Sequence, residues 1–514
     1  MQPIRREFYC DLAIIGGGVG GCAAAIAAAR KGLHVMLFEK GVSLGGLATN
    51  GYVPQVAGNI EGICLEFCQK LDEVGQLMQS GDVDYYRNPS FEPEWGKFVL
   101  ENMVTAAGAR VMYDAVCVDV EMENDSTIKK CIFHTKQGKI AVNARMFIDA
   151  TGDGDVAEMS GVPYEVGGAD FAGLSMSTTQ GSRWAGFNVP KYMKAEQEFR
   201  QQQLDAGVER PLNLVYVLEE KWIEEGKLVR HVANRDTGFF KVMIPNTPPE
   251  DSEFVTFAFH SYYCQNTDAE NISRQILEQH QMMQKFMVFL RECVPGFENI
   301  RIIGTGSLPG VRDSRRVFGE YMLKAEDVCC GTKFDDGIAR FPEVLDCHHP
   351  TSSRLTFQRH YHMRNPHGSA VTLQGGCIAE MHPFGEPEGM EVRPNPRDYC
   401  EIPYRSLLPK KVDNLLTVGR CCSSEFHANG AMRIIGPAMG TGHAAAVAVH
   451  MALENGVRPR DLDGKDVRKA LIKNEGVPLD EPCSGHWAKL REAEGEICIS
   501  PFGDFAAISG FKMF

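Results

Sequence analysis

The chain has no C-x-x-C spacing, no long apolar run, no excess of positive charge, no internal repeat and no low-complexity segment. Each absence excludes something. The 17 cysteines are an odd number and mostly stand singly, which argues against a disulfide framework or a zinc ribbon, and iron–sulfur ligation lacks its ligand spacing. The adjacent pairs Cys329-Cys330 and Cys421-Cys422 read as packing or pocket lining, and Cys64 and Cys68 stand at helical spacing. Scattered reduced thiols suit a cytoplasmic location. No stretch is long and apolar enough to cross a membrane. The first apolar run ends in a glycine turn, which is not expected of a secretory signal. A net charge of −14 argues against nucleic acid as a main partner, although a small substrate can still find a locally basic pocket. What is left is a chain of 514 residues, 44% hydrophobic and 23% charged, with the composition of a globular protein of at least two domains.

Against these absences, residues 10–40 are densely patterned: CDLAIIGGGVGGCAAAIAAARKGLHVMLFEK. Cys10 to Ile15 reads as a buried strand, and Gly16, Gly18 and Gly21 then fit G-x-G-x-x-G. The first glycine permits the tight turn, the second lets backbone approach a pyrophosphate, and the third lets helix pack on strand. An alanine-rich helix follows over residues 19–31, its N-terminus suited to negative charge. The next strand, His34 to Phe38, ends at Glu39, placed to take the hydroxyls of an adenosine ribose, with Lys40 beside it. Strand, turn, helix, strand and acid in this order make the motif specific.

The pattern divides the chain. Residues 1–165 form the first segment of a dinucleotide-binding domain, with a second glycine loop at Leu44 to Gly51 and a helix over residues 94–107. Arg110 to Glu121 alternates like one strand, Asn124 to Ser126 is a turn, and Cys131–His134 with Ile140–Val142 reads as a hairpin about Gln137-Gly138. Arg145 to Ala150 is a further strand. Residues 166–400 read as an inserted α+β substrate domain, with a strand at Phe254–His260 and a helix at about 268–292. Residues 401–456 return to glycine-rich sequence as the second segment of the first domain, and 457–514 is a tail with a helix at Lys465–Lys473.

Three further motifs matter. They are Phe147-Ile148-Asp149-Ala150-Thr151-Gly152-Asp153-Gly154-Asp155, Leu308-Pro309-Gly310-Val311-Arg312-Asp313-Ser314-Arg315-Arg316, and the stretch from Ile402 through Asn414-Leu415-Leu416-Thr417-Val418-Gly419-Arg420 to Gly440-Thr441-Gly442-His443. With the N-terminal glycines they resemble the FAD-dependent oxidoreductases, relatives of the glutathione-reductase-like flavoproteins, over most of residues 8–475 and thinly between about 170 and 300. The resemblance implies an α/β fold, a Rossmann-like FAD-binding domain with the inserted α+β domain, and it implies that residues 303–328 return to the flavin. It also implies bound FAD. Gly16, Gly18 and Gly21 would hold the pyrophosphate, Glu39 and Lys40 the ribose end, and Gly45, Gly46 and Leu47 the ribityl or phosphate region. Val116 would meet the adenine edge, Ala150-Thr151-Gly152 would approach the adenosine half, and Gly419 and Arg420 would lie beside the ribityl chain. The last helix would begin near Pro437, carry Gly440, Thr441 and Gly442, and turn its N-terminus toward the flavin. NAD competes only for the first motif, since it has no use for the distant loops. Gly304 to Gly310 has the wrong spacing for a second nucleotide site, so reducing equivalents are expected to pass through the substrate and a separate electron acceptor or donor.

The candidate acid/base groups are His348, in Asp346-Cys347-His348 where Asp346 would orient the imidazole, and His427, just after the flavin loop. His443 reads as helical packing. Arg312, Arg315, Arg316 and Arg433 are candidates for an anion grip or for internal ion pairs, and Arg312 is placed with the catalytic set. His348, His349, His360, His362 and His367 crowd one segment without a zincin spacing, so no metal is expected. The expected activity is hydride transfer between a small polar organic molecule and flavin N5, with a redox-neutral flavoenzyme or a non-catalytic FAD-binding subunit as alternatives and a homo-oligomer left open.

Overall fold

The computed structural model describes residues 3–57, 60–78, 89–208, 211–229, 242–330, 332–341, 345–351, 356–359 and 399–481. A seven-stranded sheet is built around Ile4–Ile15, which pairs in parallel with Val35–Phe38 on one side and Gly138–Asp149 on the other. Arg110–Met112 extends the sheet beyond Val35–Phe38, and Leu415–Thr417 adds in parallel beside the last residues of Gly138–Asp149. Leu12 to Ile15, Val35 to Phe38 and Leu415 to Thr417 are all buried, because helices cover one face of the parallel sheet and the meander residues Val120, Ile128 and Phe133 cover the other. The helices Val19–Arg30 and Ile435–Asn455 lie against each other on one side, nearly all Ala and Gly where they meet. No helix among the described residues is long and apolar enough to cross a membrane.

Two local readings change. Gly138–Asp149 is one strand, not two. Its first half pairs antiparallel with Thr127–Thr135 and its second half in parallel with Leu415–Thr417. Arg110 to Glu121 is instead two strands, because the chain breaks at Asp114, which takes φ 54°. Its second part, Val116–Asn124, leaves the parallel sheet and forms the edge of an antiparallel meander with Thr127–Thr135. Alternation along a strand cannot reveal a change of partner, since either partner accepts the same period of two. The helix at 268–292 appears as Ala269–Cys293, and the tail helix as Gly464–Glu475.

The second sheet is antiparallel, in the order Val242–Met243, Ser252–Ser261, Thr178–Phe187 and Arg301–Thr305. Its core is aromatic: Trp184, Phe187, Phe254 and Phe259 meet Phe286 and Phe289 of the Ala269–Cys293 helix. The second sheet touches the second glycine loop of the first domain at backbone distance. A side chain at Gly181 would overlap the Gly51 carbonyl, and the Ser307 N–H donates to the Asn50 carbonyl at 2.8 Å. Residues 301–310 are therefore a sheet strand and its exit, and among the described residues no helix follows before Ala325–Cys330.

Candidate functional site

The strands Ile4–Ile15, Val35–Phe38, Gly138–Asp149 and Leu415–Thr417 end along one rim, and their loops converge there. This carboxyl rim is where open α/β sheets bind ligands. Gly16 takes φ 105° and lies so close to Ala150 that a Cβ would overlap the Ala150 carbonyl, while a Cβ on Gly21 would overlap the Gly16 carbonyl. Gly18 differs: a Cβ there would meet no protein atom within 4 Å. Gly18 is also the N-cap of Val19–Arg30, and no side chain caps that helix. An uncapped helix N-terminus opening on clear space beside a glycine is the arrangement an anionic pyrophosphate requires. The second glycine loop closes over it. Gly45 (φ 99°) donates its N–H to the Gly17 carbonyl at 2.8 Å, and Gly46 (φ 55°) sits against the Gly18 Cα. Leu47 lies in the short 3-10 turn Gly46–Ala48 that follows.

Glu39 is buried, and its two carboxylate oxygens accept from the N–H groups of Gly17 and Gly41, each at 2.7 Å. It thus ties the first loop to the end of the second strand. Each oxygen keeps a lone pair for a further donor, which ribose hydroxyls can supply. Lys40 is exposed. Val116 is exposed at the start of the meander, one residue after Ala115, whose N–H donates to the Glu39 carbonyl at 3.1 Å.

The Ala150–Asp155 turn is organised by two side chains of its own motif, Asp149 and Thr151. Asp149 is fully buried and accepts from the Thr151 hydroxyl at 2.7 Å and the Ala157 N–H at 3.0 Å. Burial pushes its carboxyl up to about 6, against the pull of these bonds. The Thr151 hydroxyl in turn accepts from Asp153 and Asp155 N–H. Arg420 lies over Gly152 and pairs with Asp153 at 2.9 Å. Burial pushes the Asp153 carboxyl up, but Arg420 and Lys40 more than offset this and leave it below its ordinary value. Gly419 takes φ 70° and donates its N–H to the Thr441 hydroxyl at 3.0 Å.

The last helix runs from Ile435, two residues earlier than read from the sequence, after a short turn of helix at Asn429–Met432. Its glycines face other helices and strands: a Cβ at Gly442 would overlap the Gly20 carbonyl, and one at Gly440 would meet Ala339 Cβ at 3.0 Å. His443, read as packing, is buried and bonds Glu475 at 3.2 Å.

The basic cluster separates. Arg316 is fully buried, pairs with Asp313 at 3.3 Å and Glu165 at 2.8 Å, and donates to the Gly167 carbonyl. Arg315 pairs with Asp155 at 3.0 Å. Arg312 turns elsewhere: it donates to the Ser177 carbonyl at 2.7 Å and lies 3.3 Å from His260 Nε2. The His260 ring stacks on His348, centroids 5.3 Å apart. His348 belongs to the strand Leu345–His348, paired with Thr356–Arg359. The side chain of Asp346, and His360, His362 and His367, lie outside the described residues. His427 is buried between Phe171 and Phe426, with ring centroids 6.2 Å and 5.1 Å away, and burial pushes its imidazole down to about 4. Among the described residues no cluster of His, Cys, Asp or Glu is arranged to hold a metal. His260 lies in none of the sequence motifs, and the Gly20–Gly442 approach has its only sequence signal in small residues on two apolar helices.

Chains of known structure that resemble this protein include a geranylgeranyl bacteriochlorophyll reductase-like protein from Thermoplasma acidophilum, at 13% identity over 91% of this chain and 84% of that one, with a TM-score of 0.41. Others are the myxobacterial chondrochloren halogenase CndH, at 12% over 91% and 79% with a TM-score of 0.40, and p-nitrophenol 4-monooxygenase PnpA from Pseudomonas putida DLL-E4, at 9% over 91% and 86% with a TM-score of 0.40. No curated protein sequence matches the chain. The family model described as FAD dependent oxidoreductase matches residues 11–471. Its cofactor fits the residues present, since the space at Gly18, the uncapped helix and the carboxylate of Glu39 answer to a pyrophosphate and a ribose, and the chain belongs to the FAD dependent oxidoreductase family.

Proposed function

We propose that the chain transfers a hydride between a small polar organic substrate and FAD, with His348 moving the accompanying proton and a separate electron acceptor or donor completing turnover. The chemistry that FAD supplies when bound is hydride exchange at N5. The observation that carries the reading is the group His348–His260–Arg312, in which His260 stands on the second sheet and the other two pack against it. The stretch from Ser307 to Arg312 links this group to the second glycine loop, with Ser307 bonded to Asn50, Gly310 to Thr179 and Arg312 to Ser177. A titratable imidazole and a guanidinium thus both contact His260, on the sheet that abuts the second glycine loop. Arg312 would orient a polar substrate, and His348 would accept or return its proton.

His427 is the weaker candidate on physical grounds. With its imidazole pushed down to about 4, it is almost entirely neutral at pH 7 and too weak a base for efficient proton abstraction. Its aromatic neighbours give it a packing role instead. The electron partner is proposed to be other than a nicotinamide nucleotide, because residues 301–310 lack the turn-helix a second nucleotide site would need. Scattered thiols support a cytoplasmic location.

Anaerobic mixing with a panel of small polar metabolites tests the reading through bleaching of the flavin absorbance. A substrate that bleaches the native protein should do so roughly 10²–10⁴ times more slowly in His348→Asn, with FAD content unchanged. His427→Asn should stay near native. Near-native reduction in His348→Asn would remove His348 from the mechanism, and rapid bleaching by NADH or NADPH would refute the separate electron partner.

A further inference from the structure

His260 stands near the end of the Ser252–Ser261 strand, and its ring is held from three directions. Nδ1 lies 2.8 Å from the Ala258 carbonyl oxygen, and Nε2 lies 3.3 Å from an Nη of Arg312. A carbonyl only accepts and a guanidinium only donates. The proton is therefore on Nδ1, and Nε2 offers its lone pair to Arg312. This fixes one neutral tautomer. The third contact is the stack on His348, with ring planes 27° apart. Arg312 is bound at a second nitrogen by the Ser177 carbonyl at 2.7 Å, so two acceptors set the plane of its guanidinium.

We propose that His260 is a positioning residue for proton transfer, holding the Arg312 plane through Nε2 and the His348 ring through its face. The inference rests on the reading of His348 as the proton carrier. Burial alone would make His260 a packing residue, and any flat side chain would then replace it. The two hydrogen bonds make a sharper demand: the acceptor must stand at the Nε2 position.

Two variants separate these roles. In His260→Gln the side-chain carbonyl reaches the Nε2 position and accepts from Arg312. In His260→Asn the side chain ends near the Nδ1 position and leaves Arg312 without that acceptor. Both should keep FAD and native circular dichroism. His260→Gln should retain substrate-driven flavin reduction within about threefold, and His260→Asn should lose roughly tenfold to a hundredfold in kcat, the scale of a ~1 Å misplacement. Equal rates in the two variants would overturn the proposal. A second readout needs no substrate. In [15N]histidine-labelled protein at pH 7, one ring should show the Nδ1–H tautomer and vanish in both variants. The His348 signal should shift in both variants, since both remove the ring stacked on it. A His260 ring protonated at Nε2, or a His348 signal indifferent to both changes, would overturn the positioning role. These spectra stand even where no metabolite bleaches the flavin, so failure of the hydride-transfer reading is distinguished from failure of this one.

Discussion

The two sheets of this protein are built by opposite means. Around the parallel sheet, the close contacts are backbone on backbone. Gly16 meets Ala150, Gly21 meets Gly16, Gly442 meets Gly20, and a Cβ at Gly20 would come 2.9 Å from the Ala438 carbonyl. The helices there bury alanines, Ala23 to Ala25, Ala27, Ala28 and Ala444 to Ala446. Around the antiparallel sheet, the contacts are ring on ring: Phe187 stacks on Phe297 at 4.4 Å, and Phe259 meets Phe286 edge-on at 5.7 Å. The first region is defined by where atoms cannot be added, the second by where they cannot be removed. The reason is the ligand. A pyrophosphate bound by amide N–H groups needs backbone within hydrogen-bond reach, so the helices must come close.

The largest effect should come at Gly18, the glycine of the first loop that breaks the rule. Gly18→Val adds its side chain to space empty of protein, so folding should survive while the pyrophosphate position is lost. Native protein should release FAD on denaturation, identified by mass spectrometry, and the variant should purify colourless with native circular dichroism. Retention of FAD by the variant would sink the assignment of that space. Next comes removal from the other region. Trp184 is fully buried and stacks on Phe254 and Phe259, so Trp184→Ala should cost about 3–5 kcal/mol in urea unfolding. FAD content at low temperature should hold.

A smaller effect tests addition directly. Gly442→Ala gains about 1 kcal/mol of helix propensity but drives a methyl into the Gly20 carbonyl, an overpacking cost of about 1–3 kcal/mol. Net destabilisation is expected, and a rise in stability would show that the helices do not cross there. The smallest effect lies at a seam made by charge. Glu475 on the Gly464–Glu475 helix joins His443 and Lys31, and His443, helped by Lys31, holds its carboxyl down to about 2. A carboxyl depressed in the folded state stabilises fully above its ordinary value near 4.5, and that contribution fades as pH falls toward 2. Urea midpoints from pH 6 to pH 3 should therefore fall more gently in Glu475→Gln than in the native chain. Parallel slopes would show that this ion pair carries no stability.

Local pattern was legible in the sequence wherever one residue type answers one demand. Glycine at φ 105° after a buried strand, alanines along a helix that must pack closely, and a carboxylate at the next strand end each declare their place. Partner choice was not legible. The break at Asp114 and the merged Gly138–Asp149 strand follow from which neighbour each half pairs with, and the period of two is blind to that. The basic cluster shows the same limit. Three arginines within five residues read alike, yet Arg315 and Arg316 spend their charge on Asp155, Asp313 and Glu165 while Arg312 reaches Ser177 and His260.

By itself, then, the sequence determined the strand-turn-helix that receives a dinucleotide and the family to which the chain belongs, because steric and hydrogen-bonding demands within about thirty residues select the residue types directly. Only the tertiary structure decided which imidazole faces a guanidinium and which is walled in by phenylalanines. His260 and His348 lie far apart in the chain, and their stacking depends on the Leu345–His348 and Thr356–Arg359 strand pair packing against the second sheet. Environment, not residue type, separates His427 from His348: burial between Phe171 and Phe426 removes His427's ability to carry charge at neutral pH, and no local pattern encodes the neighbours that do so.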